Sequence, residues 1–303
     1  MVKKIIGMSC GKKNGNSEAF LKAALMGAEE MGVQSEIIRV MDHKVLPCKG
    51  CWACTKTGKC IHDDDVEWIL EKTILEDTGL IISAPVYHVR TNGMLFCIAE
   101  KMNHVWRKDF NTLNKTRMGG LISVGGSGYD GWTSLGLTTM NLYLQHIRLL
   151  VDQVQINSCA QKGAALTPDN KWAVERCKQL GRNVAQAMSM PPEEVKYMGE
   201  DTAVSCPVCH CNIIYVEKDF PHIACPICAV HGVVSVNDGK FKVDWNPENI
   251  KNPRFSLEGE KHHIEWMAAH HKEEFAQLDL PETKELIKQY EAYGTYLKPD
   301  KPA

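Results

Sequence analysis

The placement of cysteine constrains this chain more than any other feature. Of thirteen cysteines, Cys48, Cys51, Cys54 and Cys60 fall in one short block, Cys206, Cys209, Cys211, Cys225 and Cys228 in a second, and Cys10, Cys97, Cys159 and Cys177 stand alone. A disulfide framework belongs to small exported chains. This chain has 303 residues, and the apolar run in its opening MVKKIIGMSCG is about four residues, shorter than the roughly 7–15 of a signal-peptide core. The two blocks therefore read as metal or redox ligands in an intracellular, cytoplasmic protein. The four singles read as small buried hydrophobes, with Cys10 a partial exception because it lies in a polar loop.

Between the blocks, the first half alternates apolar strand runs with helical spacing. Strands are expected at Lys4–Ser9, Ser35–Val40, Gly79–Ala84, Gly119–Val124 and Val151–Ile156, with a helix over Ser17–Met31 and helical stretches after all but the second strand. Such βα units make a doubly wound, five-stranded parallel sheet covered by helices on both faces. Ligands then bind at the carboxyl ends of the strands. At 44% hydrophobic and a net charge of −2, the chain carries no broad basic field, so nucleic acid and anionic membranes are not expected partners.

Three strand ends are unusual. After the first comes Ser9-Cys10-Gly11-Lys12-Lys13-Asn14-Gly15-Asn16-Ser17, which suits a phosphate at a helix start capped by Asn16 or Ser17; a plain capped βα turn is the alternative. After the third comes Ala84-Pro85-Val86-Tyr87-His88, a rigid apolar shelf, and after the fourth Gly125-Gly126-Ser127-Gly128-Tyr129-Asp130-Gly131-Trp132, where backbone can approach a flat ligand. Taken in order, these loops resemble the flavodoxin-like NAD(P)H-dependent FMN reductases, and the Cys48–Cys60 block resembles the compact motif of the iron-sulfur flavoproteins, over about residues 1–190. The resemblance implies a flavodoxin-like fold with FMN. Its phosphate would be held by Ser9, Lys12, Asn16 and Ser17, its ring by Pro85, Val86 and Tyr87 on one side and Gly125, Gly126 and Tyr129 on the other. It also implies NAD(P)H or a ferredoxin-like carrier as donor, a small-molecule or protein acceptor, and a homodimer or tetramer. The chain departs from the family at Cys10, where proline is usual, and at Lys12 and Lys13, where many relatives have arginine. Tyr87 and His88 are the candidates for proton transfer, and His104 also flanks the shelf.

In the first block, two-residue spacings followed by Cys60 suit a [4Fe–4S] cluster; zinc or metal-free thiols are the alternatives. The acidic triplet Asp63–Asp65 reads as helix N-terminal charge.

Beyond Pro191 and Pro192 the character changes. Two Cys-Pro-x-Cys knuckles, Cys206/Cys209 and Cys225/Cys228, predict a zinc-ribbon or rubredoxin-like site in a β-rich module over residues 200–245, with structural zinc expected and rubredoxin-type iron the alternative. So small a module needs the metal in order to fold. Cys211 is a fifth thiol beside it. A helical tail follows over 255–300, where His262, His263, His270 and His271 lack metal-ligand spacing. Three functions stay open: an FMN-dependent oxidoreductase of the iron-sulfur flavoprotein type, a cluster-free NAD(P)H-dependent reductase of quinone, nitro or enone substrates, and a zinc-ribbon interaction protein on a vestigial scaffold.

Overall fold

The computed structural model describes residues 3–102, 116–128 and 130–297. The strands of the first sheet are β1 (Lys4–Ser9), β2 (Gln34–Arg39), β3 (Gly79–Tyr87), β4 (Arg90–Thr91), β5 (Met118–Val124) and β6 (Leu149–Ile156). Five of them run parallel in the order β2-β1-β3-β5-β6, and β4 is a short antiparallel spur on the end of β3. This is the flavodoxin-like strand order, in which a ligand sits at the switch point where the winding reverses between β1 and β3. The parallel strands read as unbroken apolar runs because both faces are covered. β5, for instance, is buried along its whole length.

The helices are α1 (Asn16–Glu29), α2 (Ala53–Thr57), α3 (Val66–Leu70), α4 (Gly93–Ala99), α5 (Gly136–Leu144), α6 (Lys171–Ala187), α7 (Pro247–Lys251), α8 (Leu257–Leu278) and α9 (Pro281–Ala292). Successive β5 residues point to opposite faces, so a Cβ on Gly119 would meet Leu144 of α5, whereas one on Gly120 would meet Leu180 and Val184 of α6. α1 and α6 lie so close that a Cβ at Gly181 would sit 1.7 Å from the Ala24 carbonyl oxygen. That contact sets how closely α1 packs on α6. A buried Asp152 carboxylate, held by both guanidinium nitrogens of Arg176 and by Asn183 Nδ2, ties α6 to β6.

After α6 the chain lays a linker on the free edge of β6, where the Met198 amide donates to the Val151 carbonyl at 2.7 Å. It then folds into a four-stranded antiparallel sheet, order β10-β9-β8-β7, of Tyr215–Val216, His222–Ala224, His231–Asn237 and Lys240–Trp245 numbered β7 to β10. Asp238 and Gly239 link β9 to β10 with φ of 51° and 73°, as a two-residue turn of primed type requires. β7 is only two residues long, Tyr215–Val216. Residues Met1–Leu257 form one compact unit and Glu258–Ala303 a second, helical one. Among the described residues no helix is long and apolar enough to cross a membrane.

Candidate functional site

A cavity of about 300 Å³ opens at the carboxyl edge of the sheet, lined in part by Gly11, Lys12, Asn16, Ser17, Pro85, Val86, Tyr87 and Gly126. The loops after β1, β3 and β5, far apart in sequence, thus meet at one place. Gly15 rather than Asn16 or Ser17 is the N-cap of α1, and no side chain caps the helix. The expected cap is absent because Asn16 is committed elsewhere: its Nδ2 donates to the carbonyls of Cys159 and Gln161, and its Oδ1 accepts from the amides of Gly163 and Ala165. The helix start therefore faces the cavity with its positive end uncapped, which suits an anion.

Other features of the cradle fit a bound phosphate and a flat ring. Ser17 is buried, and a Cβ on Gly11 would lie 2.2 Å from its Oγ, so only glycine leaves that hydroxyl clear. Ser9 Oγ is buried with no hydrogen-bond partner among the described residues. Pro85 and Val86 form a half-buried wall, and Tyr87 is exposed at the rim. Gly125 is held by two backbone bonds, its N–H to Ile156 O at 2.8 Å and its carbonyl from Cys159 N, which anchor the third loop to a fourth wall at Cys159 and Ala160. That fourth wall has no local sequence signal; only Asn16 reaching across 143 residues reveals it. His88 sits in the β3–β4 turn with φ of 50°, is exposed, and is not among the residues lining the cavity. Tyr129 and His104 lie outside the described residues. Burial pushes the Cys10 thiol up to about 12, so it stays neutral; its carbonyl instead receives Asn92 Nδ2 at 2.7 Å.

Beneath the loop, the buried Glu18 carboxylate accepts from Arg39 through both oxygens, at 2.8 and 3.0 Å, and pairs with Lys22. The Arg39 contacts hold its pKa at about 2 against the opposing effect of burial. This charged anchor fixes the first turn of α1.

The first cysteine block lines a separate cavity of about 110 Å³, to which Cys48, Cys51, Cys54 and Cys60 all contribute alongside Trp52, Ile61 and Lys101. Cys48 and Cys51 are exposed, and Cys54 and Cys60 half-buried. Burial, and then the neighbouring Cys60, Cys48 and Cys51, push the Cys54 thiol up, as happens when several thiols compete to ionise in one place. Here the acidic triplet does more than complement a helix dipole. Asp64 forms a buried ion pair with Lys101 at the cavity and accepts from Leu46 N at 3.0 Å, while Asp65 accepts from Lys44 N at 2.9 Å. Burial alone would raise the Asp64 pKa, but Lys101 and the backbone donors outweigh it and lower it. These carboxylates staple the strap that presents the thiols.

The second block closes on itself. The sulfurs of Cys206, Cys209, Cys225 and Cys228 lie within 4.8 Å of one another, all buried, and among the described residues this is the one such convergence of three or more His, Cys, Asp or Glu ligand atoms. A zinc–thiolate bond of about 2.3 Å sets tetrahedral sulfurs roughly 3.8 Å apart, so the set is preformed for a single ion. The two knuckles repeat one geometry. His210 N donates to Cys206 O and Ala229 N to Cys225 O, and His210 and Ala229 take left-handed φ of 55° and 53°. Both non-glycine residues accept that strain so that each chain can turn back after its second cysteine. Hydrogen bonds from Cys209, Cys225 and Cys228 depress the Cys206 thiol and, conversely, its contact with Cys206 raises Cys209: four protons do not fit where one cation would. Cys211 packs beside the site, 3.5 Å from Thr138 Oγ1. The module is pinned to the parallel sheet, with Gln153 Nε2 donating to His210 O at 3.0 Å and the His210 ring stacked on Tyr197 at 3.6 Å.

Comparison with known proteins agrees with this geometry. The chain is 29% identical over 193 residues to an iron-sulfur flavoprotein of Methanocaldococcus jannaschii, which covers 62% of this chain and 98% of that one. It is 25% identical over 296 residues to a flavone synthase of Aspergillus candidus, with 86% and 88% of the two chains covered. A solved flavone reductase superimposes with a TM-score of 0.78 at 22% identity, covering 98% of this chain and 100% of that one, which establishes the shared fold. The family model for NADPH-dependent FMN reductases matches residues 3–159, the span that builds the three-loop cradle, and the chain belongs to that family of FMN-dependent oxidoreductases.

Proposed function

We propose that the chain is a reductase of the iron-sulfur flavoprotein type, passing electrons between NAD(P)H or a one-electron carrier and an acceptor. The observation that carries this reading is the gathering of Cys48, Cys51, Cys54 and Cys60 around one cavity, in the same compact unit as the phosphate-ready cradle. A cubane spreads its four thiolates wider than a single ion does, which agrees with a block that surrounds a cavity instead of converging as the knuckles do. Bound FMN supplies both hydride and single-electron chemistry, and a [4Fe–4S] cluster the single-electron part.

The chain's own residues then have distinct tasks. The uncapped start of α1, the Ser17 hydroxyl and the Lys12 ammonium hold the phosphate, with Ser9 Oγ behind them and Asn16 fixing the loop wall. Pro85, Val86, Gly125 and Gly126 bracket the ring. Tyr87, at the cavity rim, is placed to move a proton to a reduced substrate, ahead of His88. The knuckle cysteines hold structural zinc in preference to a rubredoxin-type iron, since the site is closed and buried.

Anaerobically purified protein is expected to contain FMN and about four iron and four acid-labile sulfide per chain, both iron and sulfide lost in Cys51→Ala. Iron-free protein whose NAD(P)H oxidation is unchanged by Cys51→Ala would instead support a cluster-free reductase of an enone, quinone or nitro compound. The relative named as a flavone synthase favours that second reading, because its match extends well beyond the span shared with the archaeal iron-sulfur flavoprotein.

A further inference from the structure

We propose that the Lys101 ammonium raises the reduction potential of the group held by Cys48, Cys51, Cys54 and Cys60, by placing a buried positive charge beside it. The inference rests on the reading of that block as a [4Fe–4S] site, and it adds a residue from outside the cysteine motif.

Besides the thiols, the titratable side chains lining the cavity of about 110 Å³ are, among the described residues, Lys49, His62, Glu100 and Lys101. Lys49 and Glu100 are exposed and of opposite sign, so water and salt screen them. Lys101 is different: its side chain and that of Asp64, its ion-pair partner, are each 2% exposed. Lysine is almost never buried so completely unless it is paired. The Lys101 amide donates to the Ile98 carbonyl at 3.1 Å, which fixes the residue at the end of α4.

The pair is oriented. Lys101 lines the cavity and Asp64 does not. The Asp64 carboxylate is taken up by the strap's own backbone, accepting from Leu46 N at 3.0 Å and from Val66 N at 3.3 Å. The cavity therefore meets the cationic member of the pair. An ammonium carries three donors, and Asp64 takes one of them. His62 adds an independent sign, since its Nε2 is buried with no hydrogen-bond partner among the described residues. A wall with a buried cation and an unsatisfied nitrogen suits an anionic group bearing acceptor sulfurs better than it suits neutral thiols.

The consequence is electrostatic. Four thiolates make such a cluster anionic, and the uptake of one electron deepens that charge by one. A cation nearby stabilises the reduced form more than the oxidised form, and burial keeps solvent from screening the difference. Lys101 thus raises the potential, and Asp64, on the side away from the cavity, offsets part of the rise. Loss of the lysine and loss of the aspartate must therefore act with opposite sign.

The test is a redox titration followed by electron paramagnetic resonance, with dithionite as reductant, on the full chain loaded anaerobically with FMN, iron and sulfide. Lys101→Met should lower the equilibrium constant for one-electron reduction at least about tenfold, which is about 59 mV. Lys101→Arg, which keeps the charge, should stay within about threefold of the wild type, and Asp64→Asn should raise the constant. The FMN potential, read by absorbance in the same samples, should not move. If Lys101→Met fails to retain its iron, the double variant Lys101→Met/Asp64→Asn, which leaves no unpaired buried charge, should still lower the constant. A pair that only staples the strap would cost stability in both single variants without moving the potential. An unmoved potential, or shifts of the same sign in Lys101→Met and Asp64→Asn, overturns the inference and leaves the cluster reading standing. Wild-type protein without iron and acid-labile sulfide overturns the cluster reading and the inference with it.

Discussion

The two cysteine blocks start from the same local motif, a pair of thiols separated by two residues, and end as opposite kinds of site. Cys206, Cys209, Cys225 and Cys228 are buried and converge within 4.8 Å; Cys48, Cys51, Cys54 and Cys60 ring a cavity, with two of them exposed. What separates them is what lies around the turns. In the second block each knuckle is locked by a backbone bond and a left-handed residue, and the pair is backed by strands. In the first, Asp64 and Asp65 tie the base of the strap to Leu46 and Lys44, and Cys48 and Cys51 beyond that base remain at the surface. Spacing brings thiols near one another, and burial decides whether they close on a single ion or stay open to something larger.

The largest expected effect comes from opening the closed site. Cys225→Ser should abolish metal binding there and unfold the β7–β10 module, since a structural zinc contributes on the order of 10 kcal/mol to folding such a unit. Metal analysis together with hydrogen exchange over residues 206–245 checks this, and a module that stays protected without its ion breaks the contrast. The matching change in the open block, Cys51→Ala, should remove iron while shifting global stability by less than about 1 kcal/mol, because the residue is exposed. A melting-temperature loss as large as that of Cys225→Ser would mean the strap is structural too.

The FMN cradle resembles the open block in being shaped for a group the protein does not itself supply. Gly11→Ala places a Cβ against Ser17 Oγ, so FMN affinity should fall about 10- to 100-fold in a fluorescence titration, the fold remaining intact. Unchanged affinity would remove Ser17 from the phosphate site. A further effect concerns the anchor below it. Because Glu18 has a depressed pKa of about 2, its contribution is complete above the unfolded value near 4.5 and is lost as pH falls between the two. Urea melts of the wild type should lose on the order of 2 kcal/mol over that window relative to Glu18→Gln. Parallel curves for the two proteins would show that the Arg39 contact adds nothing.

Much of the parallel sheet was legible from strand runs followed by helical spacing, since both periods are local and a buried parallel strand is apolar throughout. The cradle was legible for a related reason: each strand end carries its own small-residue loop, and the topology sends all three to one edge. Asn16 shows the limit. Its sequence position suggests a helix cap, but its four bonds go to Cys159, Gln161, Gly163 and Ala165, and nothing around residue 16 encodes those partners. Asp64 is similar, an apparent surface charge until Lys101 is found beside it.

Sequence by itself determined the repeating units, the βα alternation and the two-residue knuckles, because each is fixed by torsions and side-chain direction within a few residues. Tertiary structure alone decided that one thiol block is shut and the other open, that the knuckle module docks on the edge of β6 through Gln153 and Tyr197, and that α1 begins without a cap. Those outcomes depend on which surfaces exclude water, and that is set by chain segments that meet only after folding.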